Sequence, residues 1–453
     1  MILDSPPYRL ISEPPVPALP SGRCFFVDPS FNTTMVRLTD AADGVNCRIS
    51  YGIWSPFSCD YKKILIECDG LFKIVTWNPT TMSEWGDITL PASFQGSDAI
   101  WSHTSPDWIF HRDGGSRLMM LNVVTGEDLV VHDFASDFPG SPYLARMSAS
   151  ADDNLFCFAR QTTAYAFSGF CVYDAASGAI YAEPPSRSGQ YFKVQIDKSG
   201  RWMWNVATDP NGEWWDLTLP STQIPKLIAG TGHSAVLTGA AAQYDNSTDQ
   251  DVLRWFGVGG MISTISWPDW DLATEYSGTD ADELWYAVTT NTIVPVGPLH
   301  DELLQVATDG SGTVRRLCHL HNVINVINGQ WDYNSESQPA AGYGGQSWIA
   351  MHSSWGNRAR RDVFLVKAMP PIITGFINAN YLSIYGTGFI GAIQPTITIG
   401  GVVATVIYAG RDGAGDGQDQ INVIVPPELI GMGRLPVVVT CDGLVSDSMD
   451  AVV

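Results

Sequence analysis

Basic residues are scarce in this chain: 25 Lys and Arg stand against 47 Asp and Glu among 453 residues, a formal net charge of −22. Such a field repels phosphate backbones and anionic membrane surfaces, which argues against nucleic acid as a partner. No apolar run approaches the roughly 20 residues that span a bilayer as a helix, so no membrane insertion is expected. The start, Met1-Ile-Leu-Asp-Ser-Pro-Pro-Tyr-Arg9, has neither the basic beginning nor the apolar middle of a secretory signal, so either a signal has been removed or export takes another route. The eight cysteines, at 24, 47, 59, 68, 157, 171, 318 and 441, include no Cys-x-x-Cys pair, which excludes a zinc ribbon or finger. A Gly-x-Ser-x-Gly elbow, a phosphate loop, a His-Glu-x-x-His helix and a dinucleotide fingerprint are all missing.

What the chain has in quantity is aromatic and turn-forming residues: 16 Trp, 16 Tyr, 18 Phe, 43 Gly and 28 Pro, with 45% hydrophobic residues overall. That mixture favours strands joined by tight turns over helices, and the length calls for at least two folded units. A unit recurs along it. Each copy has a Ser/Asp/Pro/Gly turn, a short apolar strand, a polar loop, and a second strand ending in an Asp/Asn-x-x-Thr/Ser-Gly hairpin. Clear examples are Ala145–Asn154 with Leu155-Phe-Cys-Phe158 and Asp174-Ala-Ala-Ser-Gly178, and Thr104-Ser-Pro-Asp107 with Asn122-Val-Val-Thr-Gly126. Copies begin near Ile53, Ala99, Ala145, Phe192, His233, Glu283 and Glu336, at the period of about 40 to 52 residues of a four-stranded propeller blade. The fold expected is therefore all-β: a seven-bladed β-propeller over residues 23–369, followed by a second unit.

Strands at Cys24–Asp28 and Met35–Asp40 precede the first blade and are expected to complete the last one, because a ring closed by both chain ends has no free edge there. Upstream, Pro6, Pro7, Pro14, Pro15, Pro17 and Pro20 make residues 1–22 an extended arm. Its apolar residues, Ile2, Leu3, Tyr8, Leu10, Ile11, Val16 and Leu19, need a surface to lie on, either the arm's own propeller or a neighbouring chain. An oligomer or larger assembly in which the arm crosses to a second subunit or partner is expected. After Met369-Pro-Pro-Ile372, residues 370–453 alternate in strand fashion and have the size of an immunoglobulin-type sandwich.

Pro371-Ile-Ile-Thr-Gly375, Ile384-Tyr-Gly-Thr-Gly-Phe389, Ile399-Gly-Gly-Val-Val-Ala-Thr-Val406 and Gln420-Ile-Asn-Val-Ile-Val-Pro-Pro427 resemble the IPT/TIG class of immunoglobulin-like domains, of the type found in acidobacterial surface proteins. More loosely, Arg316-Leu-Cys-His-Leu-His321, Asp332-Tyr333, Gln338-Pro-Ala-Ala341 and Trp348–Gly356 resemble the TolB-like and oligogalacturonate-lyase-like propellers. The second resemblance implies a divalent metal held by histidines and a glutamine, with His and Arg assisting proton abstraction beside a uronate carboxylate. The stretch equivalent to that family's His-x-His motif reads Glu336-Ser337-Gln338-Pro339, with both histidines gone, so no metal is expected.

Candidate chemistry then rests on His319 and His321, whose spacing on a strand puts both rings on one face, with His233 and Arg316 as further candidates for the same site. His111 and His352 fall inside strand patterns and are expected to pack between blades. Trp54, Trp101, Trp255, Trp331 and Trp355 lie at blade loops or strand starts, where aromatic platforms suit sugar rings, although burial between blades is the alternative for each. The Gly-rich loop Asp412–Asp419 offers carboxylates to calcium or is simply a flexible hairpin. Cys157 with Cys171, and Cys59 with Cys68, are within pairing reach, yet burial as free thiols is the expectation for most of the eight. Two functional readings follow. One is a non-enzymatic binding or structural protein of an extracellular surface or a virion, with protein partners and polysaccharide as a further candidate ligand. The other is a polysaccharide lyase or hydrolase acting from the propeller funnel.

Overall fold

The structure is a computed structural model that describes the whole chain except residues 51–53, 141–142, 164–165, 183–190, 208–210, 224–225, 230–233, 246–249, 257–260, 267–271, 279–284, 293–296, 324–325, 328–329, 332–334, 343–347, 357–358, 369–371, 379–381, 390–394, 412–418, 430–433, 442–443, 447–448 and 453. Among the described residues there is no α-helix, and so none long and apolar enough to cross a membrane.

Up to Lys367 the strands form seven antiparallel sheets in chain order, plus a small hairpin of Val326–Ile327 with Gln330–Trp331. Sheet one comprises Cys47–Arg48, Lys63–Cys68, Leu71–Asn78 and Ser83–Thr89; sheet two Gln95–Trp101, Trp108–Arg112, Arg117–Asn122 and Asp128–Asp133; sheet three Tyr143–Ala149, Leu155–Thr163, Ala166–Asp174 and Ile180–Ala182. Sheet four comprises Tyr191–Ile196, Trp202–Ala207, Asn211–Asp216 and Lys226–Ala229, and sheet five Ser234–Val236, Ala240–Asp245, Gln250–Trp255 and Met261–Ser266. Sheet six holds Leu272–Gly278, Trp285–Thr292, Glu302–Ala307 and Val314–His319, with Ile2–Asp4 added outside the last. Sheet seven runs Pro339–Ala341, Trp348–Ser353 and Asp362–Lys367, then Thr34–Arg37 and Cys24–Val27.

Apolar clusters lie between consecutive sheets. Leu65, Ile74 and Trp101 join one to two, Phe110, Leu118 and Phe156 two to three, and Cys157, Val194 and Trp215 three to four. Trp204 and Phe256 join four to five, Leu253 and Val288 five to six, and Leu303 and Met351 six to seven. The ring closes where Val36 and Leu365 of sheet seven meet Ile64 and Val75 of sheet one. The N-terminal strands enter that closure as expected from the sequence, with Met35 opposite Val366 and Arg37 opposite Phe364. Asp362, 2% exposed, fixes the seam by accepting Arg37 Nη2 at 2.7 Å and Thr39 Oγ1 at 3.1 Å, and it also pairs with Arg360.

The recurring turn residues have a common chemistry. Ser58 Oγ donates to Asp60 and accepts the Lys63 amide at 3.1 Å; Ser150 repeats this with Asp152 and the Leu155 amide at 3.0 Å. In the hairpins, Asn122 and Asp174 each accept two amides of their own turn, and Gly126 and Gly178 follow with φ of 76° and 73°, a left-handed conformation that glycine adopts without cost. The sixth repeat departs from expectation: its sheet begins at Leu272 and not near Glu283. Leu272–Gly278 reads Leu-Ala-Thr-Glu-Tyr-Ser-Gly, too polar to stand out beside the apolar run that follows it.

Among the described residues one pair of cysteines is joined, Cys47 with Cys68, which stand directly opposite each other in sheet one. That occupies the thiol of Cys68, and Cys59 is free. Cys157 and Cys171 do not pair because Cys157 stands opposite Val172 and Cys171 opposite Phe158, so the one-residue offset sends the two thiols to opposite faces of the sheet.

Of the two surfaces expected for the arm, it lies on its own chain. Ile2–Asp4 pair with Val314–Arg316, the Tyr8 hydroxyl donates to Gly312 O at 2.6 Å, and Arg37 Nη1 donates to Pro20 O at 2.6 Å. Met1 and Leu19 pack onto the cluster between sheets six and seven.

The last eight strands, Ile372–Asn378, Leu382–Thr387, Thr396–Ile399, Val402–Arg411, Asp419–Ile424, Arg434–Cys441, Leu444–Val445 and Met449–Val452, form one separate antiparallel sheet. Its alternate residues, among them Ile384, Ile397, Ile399, Ile421, Val423, Val437 and Val439, share one apolar core.

Candidate functional site

Arg316, His319 and His321 are brought together, but on the outer side of sheet six. The strand that carries Arg316 and His319, Val314–His319, is the fourth of its sheet counted from Leu272–Gly278, the strand that touches the leading strands of sheets five and seven. The arm covers them. Arg316 is fully buried: Nε donates to Glu302 Oε2 at 2.8 Å, Nη2 pairs with Glu302 Oε1, and Nη1 donates to Asp4 Oδ2 at 3.1 Å and to Arg9 O at 2.6 Å. Burial pushes Glu302 up to about 7, with Arg316 pulling the other way.

His319 ends the strand and His321 lies beyond it with φ of 47°, so the two do not share a strand face; their rings meet edge-on at 5.9 Å. Phe31 stands edge-on to His319 at 4.9 Å and Trp355 to His321 at 4.6 Å. His321 Nδ1 donates to Glu13 Oε1 of the arm at 2.6 Å, which holds the Glu13 carboxyl below its ordinary range. Neither ring nitrogen of His319 has a hydrogen-bond partner among the described residues, and burial lowers this imidazole to about 4, so it is neutral at neutral pH. Beside them, burial pushes Asp301 well above the carboxylate range, and Asp28 is also raised although it accepts the Ser30 and Phe31 amides at 2.8 Å. Leu299, Asp301, His321 and Trp355, four non-glycine residues in one neighbourhood, have φ between 46° and 65°.

Chemically this is a lock. The guanidinium is saturated by two carboxylates, one imidazole is tied to Glu13, and the other is neutral beneath Phe31. Glu302, Asp4 and Glu13 escaped the sequence reading because they lie 14, 312 and 308 residues from their partners. The only local signal was a pair of arginines inside the otherwise apolar strand Val314-Arg-Arg-Leu-Cys-His319.

At the position of the missing His-x-His motif, Glu336–Gln338 are buried and built into the scaffold. Ser337 N donates to Asn291 Oδ1 at 2.8 Å, Ser337 O accepts Thr289 Oγ1 at 2.8 Å, and His352 Nε2 lies 2.8 Å from Glu336 O. His352 and His111 are buried in their sheets, as expected. Among the described residues no group of three or more His, Cys, Asp or Glu is arranged to hold a metal ion.

The aromatic platforms need correction. Trp54, Trp101 and Trp355 are buried, and each donates its indole N–H to a main-chain carbonyl: Met147 at 2.6 Å, Pro56 at 2.8 Å and Pro17 at 3.0 Å. A large ring at a strand start fills the wedge between sheets more readily than it stands in water. Trp255 and Trp331 lie in strands, but their side chains fall outside the described residues, as do His233 and residues 412–418 of the Asp412–Asp419 loop. Asp419 itself is buried and accepts the Phe389 amide at 2.9 Å.

No protein-family model matches the chain, and no curated protein matches it. Solved structures do. The oligogalacturonate lyase of Vibrio parahaemolyticus is similar with a TM-score of 0.55 at 13% identity, over 76% of this chain and 96% of that one. An oligogalacturonate lyase in complex with manganese is similar with a TM-score of 0.54 at 13% identity, over the same shares of the two chains. This chain carries a β-propeller. At that identity the likeness concerns the fold alone. Within the propeller, Arg316 and His321 hold down an arm at the outer rim.

Proposed function

We propose that this protein is a non-enzymatic binding or structural component of an extracellular surface or a virion, recognising protein or glycan partners within an oligomer or larger assembly. In this reading each of the seven sheets is one blade, residues 23–369 are the propeller, and residues 370–453 are an immunoglobulin-like sandwich of the IPT/TIG type. The observation that carries it is the engagement of Arg316 by Glu302 and Asp4 and of His321 by Glu13, which leaves the candidate acid–base groups buried beneath residues 4–17. Scaffolding hydrogen bonds at Glu336–Gln338 add support, since they occupy the position where a lyase of the resembling family would hold its metal. Partner binding without chemistry is a common use of propellers.

The test is incubation of the full chain with polygalacturonate, with and without added manganese, while following the ultraviolet absorbance of the unsaturated product. No product is expected. Product formation that His321→Ala abolishes would establish the lyase alternative instead.

A further inference from the structure

In the C-terminal sheet, strands Leu382–Thr387, Asp419–Ile424 and Val402–Arg411 lie side by side in that order. Alternation sends Ile384, Ile421, Val423 and Ala404 into the core. It sends Tyr385, Gln420, Asn422, Thr405 and Ile424 to the other face, and a bulge between Val406 and Tyr408 brings Tyr408 to that face as well. There Tyr385 stands opposite Gln420, Tyr408 opposite Asn422, and Thr405 opposite Ile424. Tyr408 is 43% exposed and Ile424 49%.

Two details make this face a shaped surface. The Tyr408 ring lies along its own strand: a Cβ at Gly410 would stand 2.5 Å from the tyrosine hydroxyl oxygen and 2.9 Å from Cζ, so the glycine leaves the space in which the ring reclines. Next to it, Gln420 Nε2 donates to Asn422 Oδ1 at 2.8 Å, which fixes two amides side by side on the middle strand.

The face is also uncharged. The charged residues of the three strands are Arg411 and Asp419 at their ends, and Asp419 is buried. Residues 370–453 contain only Arg411 and Arg434 as basic residues, against Asp412, Asp416, Asp419, Glu428, Asp442, Asp447 and Asp450. Among the described side chains that alternation puts on this face there is no cation to receive a carboxylate or sulfate, and the net charge of −22 repels anionic polymers. A pyranose without charge meets none of these costs. Its C–H face stacks on a tyrosine ring, and its hydroxyls exchange hydrogen bonds with amides and a threonine.

We propose that this face binds a neutral polysaccharide, with Tyr408 and Tyr385 as stacking platforms and Gln420, Asn422 and Thr405 as hydrogen-bonding groups. It deepens the binding reading above but concerns a different surface, so the lyase assay and the experiment below fail independently.

The test is affinity electrophoresis of the full chain in gels containing hydroxyethyl cellulose, laminarin, dextran or galactomannan, with polygalacturonate as the acidic comparison. At least one neutral polymer is expected to retard the chain, and polygalacturonate is not. Tyr408→Ala and Gly410→Val are each expected to weaken retardation about tenfold, the size of a lost aromatic anchor. Gly410→Val keeps every binding side chain and suits a strand, yet displaces the ring; melting curves confirm that both variants fold. The proposal is overturned if no neutral polymer retards the chain, if both variants bind as the parent does, or if polygalacturonate binds as strongly. It is equally overturned if sedimentation shows a self-associated parent that Tyr408→Ala turns into a monomer, which would make a second copy the occupant.

Discussion

Glu302 receives two nitrogens of the fully buried Arg316 side chain, and the third lies against Asp4 of the N-terminal arm, so one arginine joins the third strand of sheet six to a segment about 300 residues away. Buried pairs of this kind contribute little against a well-packed apolar alternative, but breaking one by removing a single partner leaves an uncompensated charge. Arg316→Ala should therefore cost about 3–5 kcal/mol, whereas Arg316→Met with Glu302→Met recovers a large part of it. Chemical denaturation of the three proteins measures both. In Arg316→Ala the arm should also be clipped faster by protease, because Asp4 and Arg9 O lose their anchor.

His319 gives a pH dependence of defined sign. Its folded value of about 4 lies below the unfolded value near 6.5, so between those limits the unfolded chain binds the extra proton and stability falls as pH falls. The full effect is at most about 3 kcal/mol, complete near pH 4 and absent above about pH 7. Glu302 and Asp301, both pushed up by burial, act in the opposite sense, so the comparison has to be with a variant. His319→Phe is expected to melt like the parent at pH 8 and above it at pH 5, since no hydrogen bond to the ring is lost among the described residues.

The thiols separate into three classes. Cys24 is exposed and should react at once with a thiol reagent, Cys59 more slowly, and Cys157, Cys171, Cys318 and Cys441 only after unfolding. Cys47 and Cys68 should react only after reduction. Their bond spans 21 residues, and opening it by Cys47→Ser with Cys68→Ser should cost about 3 kcal/mol on the chain-entropy account. Six titratable thiols in denaturant without reductant is the expected count; eight would mean that the bond is absent.

Ring closure predicts a further effect. Asp362 carries Arg37, Arg360 and Thr39 at the seam between the two ends of the propeller sequence. Asp362→Ala should destabilise by about 3 kcal/mol or more, because it strands two half-buried cations, and Asp362→Asn by less, because its side-chain oxygen still accepts hydrogen bonds. Hydrogen exchange should then rise first in Thr34–Arg37, the strand held by this residue.

The repeat, the strand content and the closing role of the N-terminal strands were legible because they are local or periodic properties. Ser58 and Ser150 act on amides within five residues, and Asn122 and Asp174 on their own turns. The weakly apolar strand Leu272–Gly278 was missed for the same reason: its place depends on pairing with Trp285–Thr292 rather than on its own pattern. Spacing alone also suggested that His319 and His321 share a strand face, but the strand ends between them, where Leu320 N turns to Asp301 O at 2.7 Å.

Sequence by itself determined the period, the turns, the alternation of the C-terminal strands and the acidic field, since each depends on neighbours within a few residues or on a sum over all of them. Only the tertiary structure decided which cysteine meets which, that the indoles of Trp54, Trp101 and Trp355 point inward to carbonyls, and that the arm lies on its own sheets with Asp4 and Glu13 against Arg316 and His321. Those outcomes depend on register and on contacts between distant segments, where shifting a strand by one residue reverses the face a side chain takes and changes every partner it meets.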